Sequence, residues 1–272
     1  MNITFIGGGN MASALIGGLI AQGHAAAEIA VVEIDAAGRA RLAQQFAVAT
    51  HERIEAASMV GADVVLFAVK PQQMRAAAGE LAGHLARQLV ITIAAGIRLA
   101  DLSRWLGGYR KLVRVMPNTP ALLRAGMSAM CALPEVSAPE REQALRLLGA
   151  VGTTLWCERE ELLDAATAVS GSGPAYVFYF IEAMEAAARE LGFAATDART
   201  LAYTTFAGAV ELARQSSDDP ATLRARVTSK GGTTERALAE MEAAAVKANV
   251  IAAIKAADAR AKELGDEFGR DP

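Results

Sequence analysis

The chain has 272 residues, of which 53% are apolar and 21% charged, and its formal net charge is −3. That length allows one large or two ordinary domains, and the absence of a Lys/Arg block argues against nucleic acid as a partner. The N-terminus lacks signal-peptide features, and the most apolar stretch, residues 165–181, is too short and too broken by glycine and proline to span a membrane. Two isolated cysteines, without metal-ligand partners, fit a cytoplasmic protein.

The first half of the chain alternates short apolar runs with helical patterns. The apolar runs cover residues 2–6, 29–33, 63–69, 89–94 and 111–115, and the helical patterns cover residues 10–21, 38–47, 71–86 and 99–107. Apolar strands that alternate with helices indicate a parallel sheet covered on both faces. The sequence therefore predicts an α/β, doubly wound, mainly parallel sheet in a domain of residues 1–157.

The stretch G-G-G-N-M-A lies directly after the first predicted strand and opens the first predicted helix. It fits the fingerprint G-x-G-x-x-A, in which Gly7 makes the tight turn, Gly9 lets a pyrophosphate approach and Ala12 permits close helix–strand contact. The start of the helix, with Asn10 and Met11, offers N–H donors and a positive dipole to the phosphates. We predict a Rossmann-type dinucleotide site here rather than a flexible turn.

An acidic residue follows the second strand at the position that bonds the ribose hydroxyls in NAD sites. Glu33 occupies that position and favours NAD. Arg39 and Arg41 follow closely and are suited to the 2′-phosphate of NADP, while all three residues could equally be solvated surface charges. The sequence leaves the cofactor's phosphate open.

The ends of the other strands are expected to border the cofactor, because ligands of open α/β sheets bind beyond the carboxyl ends of the strands. Lys70 is as readily a plain surface lysine as a cofactor contact. Asn118 lies between two stiffening prolines and offers both donor and acceptor groups. The predicted contacts at these strand ends are Ala68, Val69, Lys70, Pro71, Ala95 and Asn118.

The second half, residues 158–272, reads as an all-α domain. Helical patterns cover residues 160–169, 174–191, 197–215, 220–227 and 234–264. Residues 175–181 are apolar on every side of their helix, which indicates burial all round. A small helical domain can hardly enclose such a helix alone, so we predict that two subunits share it; the alternative is the central helix of a single bundle.

The chain lacks the usual acid for reduction of a carbonyl. Its histidines, His24, His51 and His84, fall in or beside predicted surface helices and turns, away from strand carboxyl ends, and no metal cluster or nucleophile elbow occurs. A protonated C=N accepts hydride without a protein acid, so such a substrate would need only orientation and exclusion of water.

Five segments together resemble pyrroline-5-carboxylate reductases, in that family's order: residues 7–12, 69–72, 116–120, 167–176 and 228–234. The resemblance implies NAD(P)H-dependent reduction of 1-pyrroline-5-carboxylate to proline, the last step of proline synthesis. It also implies a homodimer through the helical domain, built into larger rings such as decamers. NADPH is favoured on these grounds, and NADH is possible.

The resemblance also places the substrate on the segment T-S-K-G-G-T-T, with nicotinamide facing it. The implied substrate-binding residues are Ser229, Gly231, Gly232, Thr233 and Thr234. Glycines would turn successive N–H groups toward the substrate carboxylate, and the Thr234 hydroxyl would bond the ring nitrogen in the catalytic role. From the residues alone, ordinary capping of the next helix by Thr233 is the preferred explanation of the segment.

Two residues depart from the family pattern. Lys230 stands where proline is usual and places the rigidity of the loop in doubt, and Glu33 stands where small polar residues suit a 2′-phosphate.

Two other functions remain as alternatives to the reductase. A β-hydroxyacid dehydrogenase would need a lysine on the helix after the domain junction, where this chain reads S-G-S-G-P-A-Y-V-F-Y-F. A cofactor-sensing protein without turnover is the other alternative.

Overall fold

A computed structural model describes residues 1–270. The strands are β1 (Ile3–Ile6), β2 (Ile29–Val32), β3 (Ala49–His51), β4 (Val64–Phe67), β5 (Leu89–Thr92), β6 (Leu112–Met116), β7 (Gly126–Ala132) and β8 (Gly152–Trp156). The helices are α1 (Asn10–Ala21), α2 (Ala36–Phe46), α3 (Pro71–Ala82), α4 (Leu99–Trp105), α5 (Ala138–Gly149), α6 (Leu162–Ala166), α7 (Gly173–Glu190), α8 (Ala195–Gln215), α9 (Pro220–Arg226), α10 (Thr233–Ala243) and α11 (Val246–Gly269). A π-helical turn, Thr167–Gly171, lies between α6 and α7.

The eight strands form one sheet in the order β3-β2-β1-β4-β5-β6-β7-β8. All neighbouring pairs are parallel except β6 and β7, which run antiparallel. The order of the first six strands is that of a dinucleotide-binding sheet. The predicted doubly wound, mainly parallel fold is confirmed.

The sheet is buried on both faces, and β4 shows how. Val64 and Leu66 point into one hydrophobic cluster with Phe5, while Val65 and Phe67 point into another. A central parallel strand therefore needs apolar residues at consecutive positions, which is why it reads as an unbroken apolar run.

Three strands, one helix and one helix break differ from the expectations. The helix is α5, which lies in a stretch where none was predicted. β3, β7 and β8 were not predicted, and β3 places His51 at a strand's carboxyl end, contrary to the expectation for the histidines. The predicted helix over 234–264 is two helices, because Ala244 ends α10 and Ala245 adopts a left-handed backbone with φ 53°.

The chain divides into two compact units. The first contains residues 1–172 and the C-terminal residues from 257, and the second contains residues 173–256. This differs from the proposed boundary at 157. Residues after 157 remain in the first unit because Arg114 of β6, almost fully buried, pairs with Glu160 at 3.0 Å and with Asp164 of α6 at 2.8 Å. The end of α11 belongs to that unit because Phe268 packs on its core.

The second unit consists of helices. α7 and α8 pack together and are joined at Gly192, whose φ is 104°. Asp219 is the N-cap of α9, and its carboxylate accepts a hydrogen bond from the Thr222 N–H at 2.8 Å. Within the described residues, α7 has no buried side chain in the single chain, and Phe178 and Tyr179 are 65% and 71% exposed. No helix in residues 1–270 combines the length and hydropathy needed to cross a bilayer.

Candidate active site

The glycine loop after β1 is shaped by three different constraints. Gly7 has φ 99°, and a Cβ there would lie 2.9 Å from the carbonyl group of Ala68. Gly9 is the N-cap of α1 and has open space where its Cβ would project. Ala12 is fully buried against the sheet. The loop therefore leaves the N–H groups at the start of α1, at Asn10 and Met11, accessible to an anion, as a pyrophosphate requires.

A cavity of about 740 Å³ opens beside this loop, within the size range of small-molecule and cofactor sites. It lies at the carboxyl ends of β1, β2 and β4. The predicted cofactor residues that line it are Gly7, Gly9, Glu33, Ala68, Val69 and Lys70. Pro71 follows as the first residue of α3. The described residues thus provide a cavity that could receive the adenosine and pyrophosphate part of a dinucleotide, whereas Ala95 and Asn118 do not line it.

The Glu33 carboxylate is fixed at the end of β2. One oxygen accepts a hydrogen bond from the Gly8 N–H at 2.8 Å, and the other accepts one from the Asp35 N–H at 2.9 Å. Gly38 packs against the Glu33 side chain, where an added Cβ would lie 3.0 Å from its Cγ. The carboxylate therefore holds one position at the cavity wall, where a ribose diol could donate to it.

The two arginines that were candidates for a 2′-phosphate bind the backbone in this structure. Arg39 donates to the carbonyl oxygens of Glu33 and Ile34, at 2.7 and 2.9 Å. Arg41 donates to the Gly8 carbonyl oxygen at 2.8 Å and to the Ser13 hydroxyl at 3.1 Å. Their guanidinium groups stabilise the loops around Glu33, and a 2′-phosphate would have to compete with these contacts.

Ala95 and Asn118 follow β5 and β6, farther along the same edge of the sheet. Ala95 precedes Gly96, whose φ is 74° and which packs closely against Phe268. The Asn118 side chain donates to the Ser170 carbonyl oxygen at 3.1 Å and accepts from the Met127 N–H at 2.8 Å. Its amide thus joins three separate segments, a relationship that residue spacing does not reveal.

The segment proposed to bind substrate forms a glycine bend before α10. Gly231 has φ 73°, and its N–H donates to the Glu235 carboxylate at 2.6 Å. The Gly232 N–H donates to the Ser229 carbonyl oxygen at 3.0 Å. Gly232, not Thr233, is the N-cap, and Thr233 is the first helical residue.

The start of α10 offers further donors. At this end of the helix the Arg236 N–H donates to the Gly232 carbonyl oxygen. The N–H groups of Thr233 and Thr234 fall in the first turn, where a helix supplies no acceptor for them. Ser229 and Lys230 are exposed, and Thr234 is half-buried. This arrangement can receive a small carboxylate. In the described residues, no three His, Cys, Asp or Glu side chains are grouped as a metal site requires.

Comparison with known proteins agrees with this architecture. Residues 160–264 match the family model for pyrroline-5-carboxylate reductase dimerisation, and residues 2–96 match a model described as NADP oxidoreductase, coenzyme F420-dependent. The pyrroline-5-carboxylate reductase of Pseudomonas aeruginosa is 48% identical, with 98% of each chain covered.

Two solved structures share the whole fold. The pyrroline-5-carboxylate reductase of Coxiella burnetii has a TM-score of 0.91 and 38% identity, with 97% of this chain and 98% of that chain covered. The pyrroline carboxylate reductase of Plasmodium falciparum, with NADP bound, has a TM-score of 0.87 and 26% identity over the same shares.

Proposed function

Because this chain belongs to the pyrroline-5-carboxylate reductase family, we propose that it reduces 1-pyrroline-5-carboxylate to L-proline with a reduced pyridine nucleotide. The observation that carries the proposal is the cavity at the glycine loop, which is open at Gly9 and lined by residues at the ends of the parallel strands β1, β2, β3 and β4. Bound there, the nucleotide would supply a hydride. The helix start at Asn10 would hold its pyrophosphate.

The chain's own contribution is to bind and orient, because the substrate brings its proton. Hydride adds to the carbon of a protonated C=N, the electron pair of the double bond moves to nitrogen, and a secondary amine results. No protein acid is then required. α7 contains no lysine, which argues against the β-hydroxyacid dehydrogenase alternative.

Residues 229–234 are the proposed substrate site. The left-handed φ of Gly231 makes the bend, and the Ser229 hydroxyl with the Thr233 N–H would face the substrate carboxylate. The Gly232 N–H would join them by exchanging its bond to the Ser229 carbonyl oxygen for one to the carboxylate. The Thr234 hydroxyl would bond the ring nitrogen and favour the productive face. The exposed Lys230 adds a positive charge that would attract the carboxylate.

We propose that the Glu33 carboxylate influences the preference between NADPH and NADH. Family likeness favours NADPH. The fixed Glu33 carboxylate offers an acceptor to the ribose hydroxyls of NADH and would repel a 2′-phosphate. We propose that the chain uses both nucleotides. Glu33 would lower the ratio of kcat/KM for NADPH to kcat/KM for NADH without reversing the preference for NADPH.

Residues 160–264 match the dimerisation model of this family, and a partner chain would cover the apolar side chains that α7 exposes in the single chain. We propose a homodimer through the helical unit, assembled further into rings such as decamers, acting in the cytoplasm.

The test is an assay of purified protein with racemic pyrroline-5-carboxylate and either NADPH or NADH. We expect loss of nicotinamide absorbance with an equimolar gain of proline, and no reaction with hydroxyacids plus NADP. Turnover of hydroxyacids would support the dehydrogenase alternative, and nucleotide binding without turnover would support a sensor.

A further inference from the structure

One side chain ties the loop after β6 to the π-helical turn at the end of the first unit. The Asn118 amide nitrogen donates to the Ser170 carbonyl oxygen at 3.1 Å, and the amide oxygen accepts from the Met127 N–H at 2.8 Å. Both halves of the amide are therefore engaged with backbone groups, and the bond to Ser170 uses one of its two N–H donors.

The Ser170 carbonyl needs an outside donor because of a proline. In a regular helix this carbonyl would accept from the residue four positions later, which is Pro174, and proline has no N–H. The proline ring also crowds the carbonyl four residues before it. Asn118 supplies the donor that the helix lacks. The Asn118 amide thus replaces the N–H donor that the proline of S-G-S-G-P removes from the helix.

The π-helical turn provides the second part of the contact. The Ser172 N–H donates to the Thr167 carbonyl oxygen at 2.8 Å, five residues earlier, as in a π-helix. Gly171 packs on Met116, where an added Cβ would lie 2.6 Å from the methionine Cε. π-helical turns are frequent at functional sites, and this one lies directly against the end of β6.

The position of the turn suggests its role. The cavity at the glycine loop lies at β1, β2 and β4, where the adenosine and pyrophosphate would bind. A dinucleotide crosses the sheet at the point where the strand order reverses, so its nicotinamide end would extend past β4 toward β5 and β6. Asn118 lies two residues beyond Met116, the last residue of β6.

We propose that Asn118 is a positioning residue for hydride transfer, which holds the π-helical turn of residues 167–171 at the nicotinamide end of the cofactor site through its bond to the Ser170 carbonyl. The inference rests on the proposed function. Asn118 acts through Ser170 rather than as a cofactor ligand through its amide.

The first variant is Asn118→Asp, which keeps an acceptor for the Met127 N–H and removes the donor to Ser170. We expect kcat to fall about tenfold, the scale of one hydrogen bond, with little change in the Kd of NADPH measured by nucleotide fluorescence. Amide hydrogen exchange at Ser172 should accelerate. The control is Asn2→Ala, since Asn2 also donates to a backbone carbonyl, that of Gly61 at 3.1 Å, but before β1.

A second test repeats the Asn118 substitution in a chain that also carries Pro174→Ala. Pro174→Ala restores an N–H that can serve the Ser170 carbonyl, so Asn118→Asp should cost much less activity in that background than in the native chain. Equal costs in both backgrounds would contradict the inference. A raised Kd for NADPH with unchanged kcat, or unchanged exchange at Ser172, would also contradict it.

If the native chain fails to reduce pyrroline-5-carboxylate, the proposed function itself is rejected. If the native chain is active and the Asn118 variants are unaffected, only the positioning role is rejected.

Discussion

The Glu33 carboxylate accepts a hydrogen bond from the Gly8 N–H at 2.8 Å, which joins the end of β2 to the middle of the glycine loop. The same carboxylate also accepts from the Asp35 N–H. Because both oxygens are held, the negative charge cannot easily turn away from an arriving ribose. We therefore expect cofactor choice in this chain to depend on a fixed acid.

Glu33→Ser should raise the preference for NADPH over NADH. The substitution removes the charge that opposes a 2′-phosphate and the acceptor that favours free ribose hydroxyls. The measurement is the ratio of kcat/KM values for the two nucleotides. Glu80→Ser is the matched control, because Glu80 lines the same cavity from α3. An unchanged ratio in Glu33→Ser would show that Glu33 does not read the ribose.

Thr234→Ala should lower kcat/KM for pyrroline-5-carboxylate by roughly 1–2 kcal/mol in transition-state terms, or about 5–30-fold. The reason is loss of the hydroxyl proposed to bond the ring nitrogen. Steady-state kinetics at saturating cofactor measure it, with Thr200→Ala as control, since the Thr200 hydroxyl bonds within α8. Native kinetics in Thr234→Ala would remove this residue from the mechanism.

Phe178→Arg should dissociate the assembly. Phe178 is 65% exposed in the single chain, and burying an arginine in an apolar interface leaves an unpaired charge. Sedimentation velocity should show a shift to the monomer mass. Val60→Arg, at an exposed position of the first unit, should keep the native mass. A Phe178→Arg protein of unchanged mass would exclude this face of α7 from the interface.

Tyr109→Phe should make the free energy of unfolding fall less steeply as the pH rises above 10. Burial, with a contribution from the Glu140 charge, raises the pKa of Tyr109 to about 12, and its hydroxyl donates to the Gln88 carbonyl oxygen at 2.6 Å. A raised pKa means that the folded state favours the protonated phenol, so this stabilisation is complete below pH 10 and disappears as the pH rises toward 12.

Urea unfolding of the native and Tyr109→Phe proteins between pH 8 and 12 measures this effect. The native chain should be about 1 kcal/mol more stable below pH 10, and the difference should shrink above it. Tyr203→Phe, on the exposed surface of α8, is the control. A difference that stays constant to pH 12 would contradict the predicted linkage.

The sequence was most informative where burial is complete. β1, β2, β4, β5 and β6 are buried on both faces and so read as apolar runs, and the glycine fingerprint placed the cofactor loop after β1. β3 and β8 lie at the two edges of the sheet, where less burial means a weaker apolar pattern. β7 is built largely from small residues, and the alanine-rich sequence around Ala245 carries no signal for a helix end.

The contacts that organise the site were less accessible to sequence reasoning. The acid at Glu33 was predicted from its spacing, but its bond to Gly8 was not. Asn118 and Ser170 are 52 residues apart, and only the folded chain brings the amide to the carbonyl. The bond between Gly231 and Glu235 likewise depends on the left-handed turn, which residue types permit but do not specify.

The most direct test of the proposed substrate site is a crystal structure of the protein with L-proline and the oxidised cofactor. We expect the proline carboxylate within hydrogen-bonding distance of the Ser229 hydroxyl and the N–H groups of Gly232 and Thr233, with the ring nitrogen beside the Thr234 hydroxyl. Proline bound away from residues 229–234 would contradict the proposed site and leave the reaction supported by family membership alone.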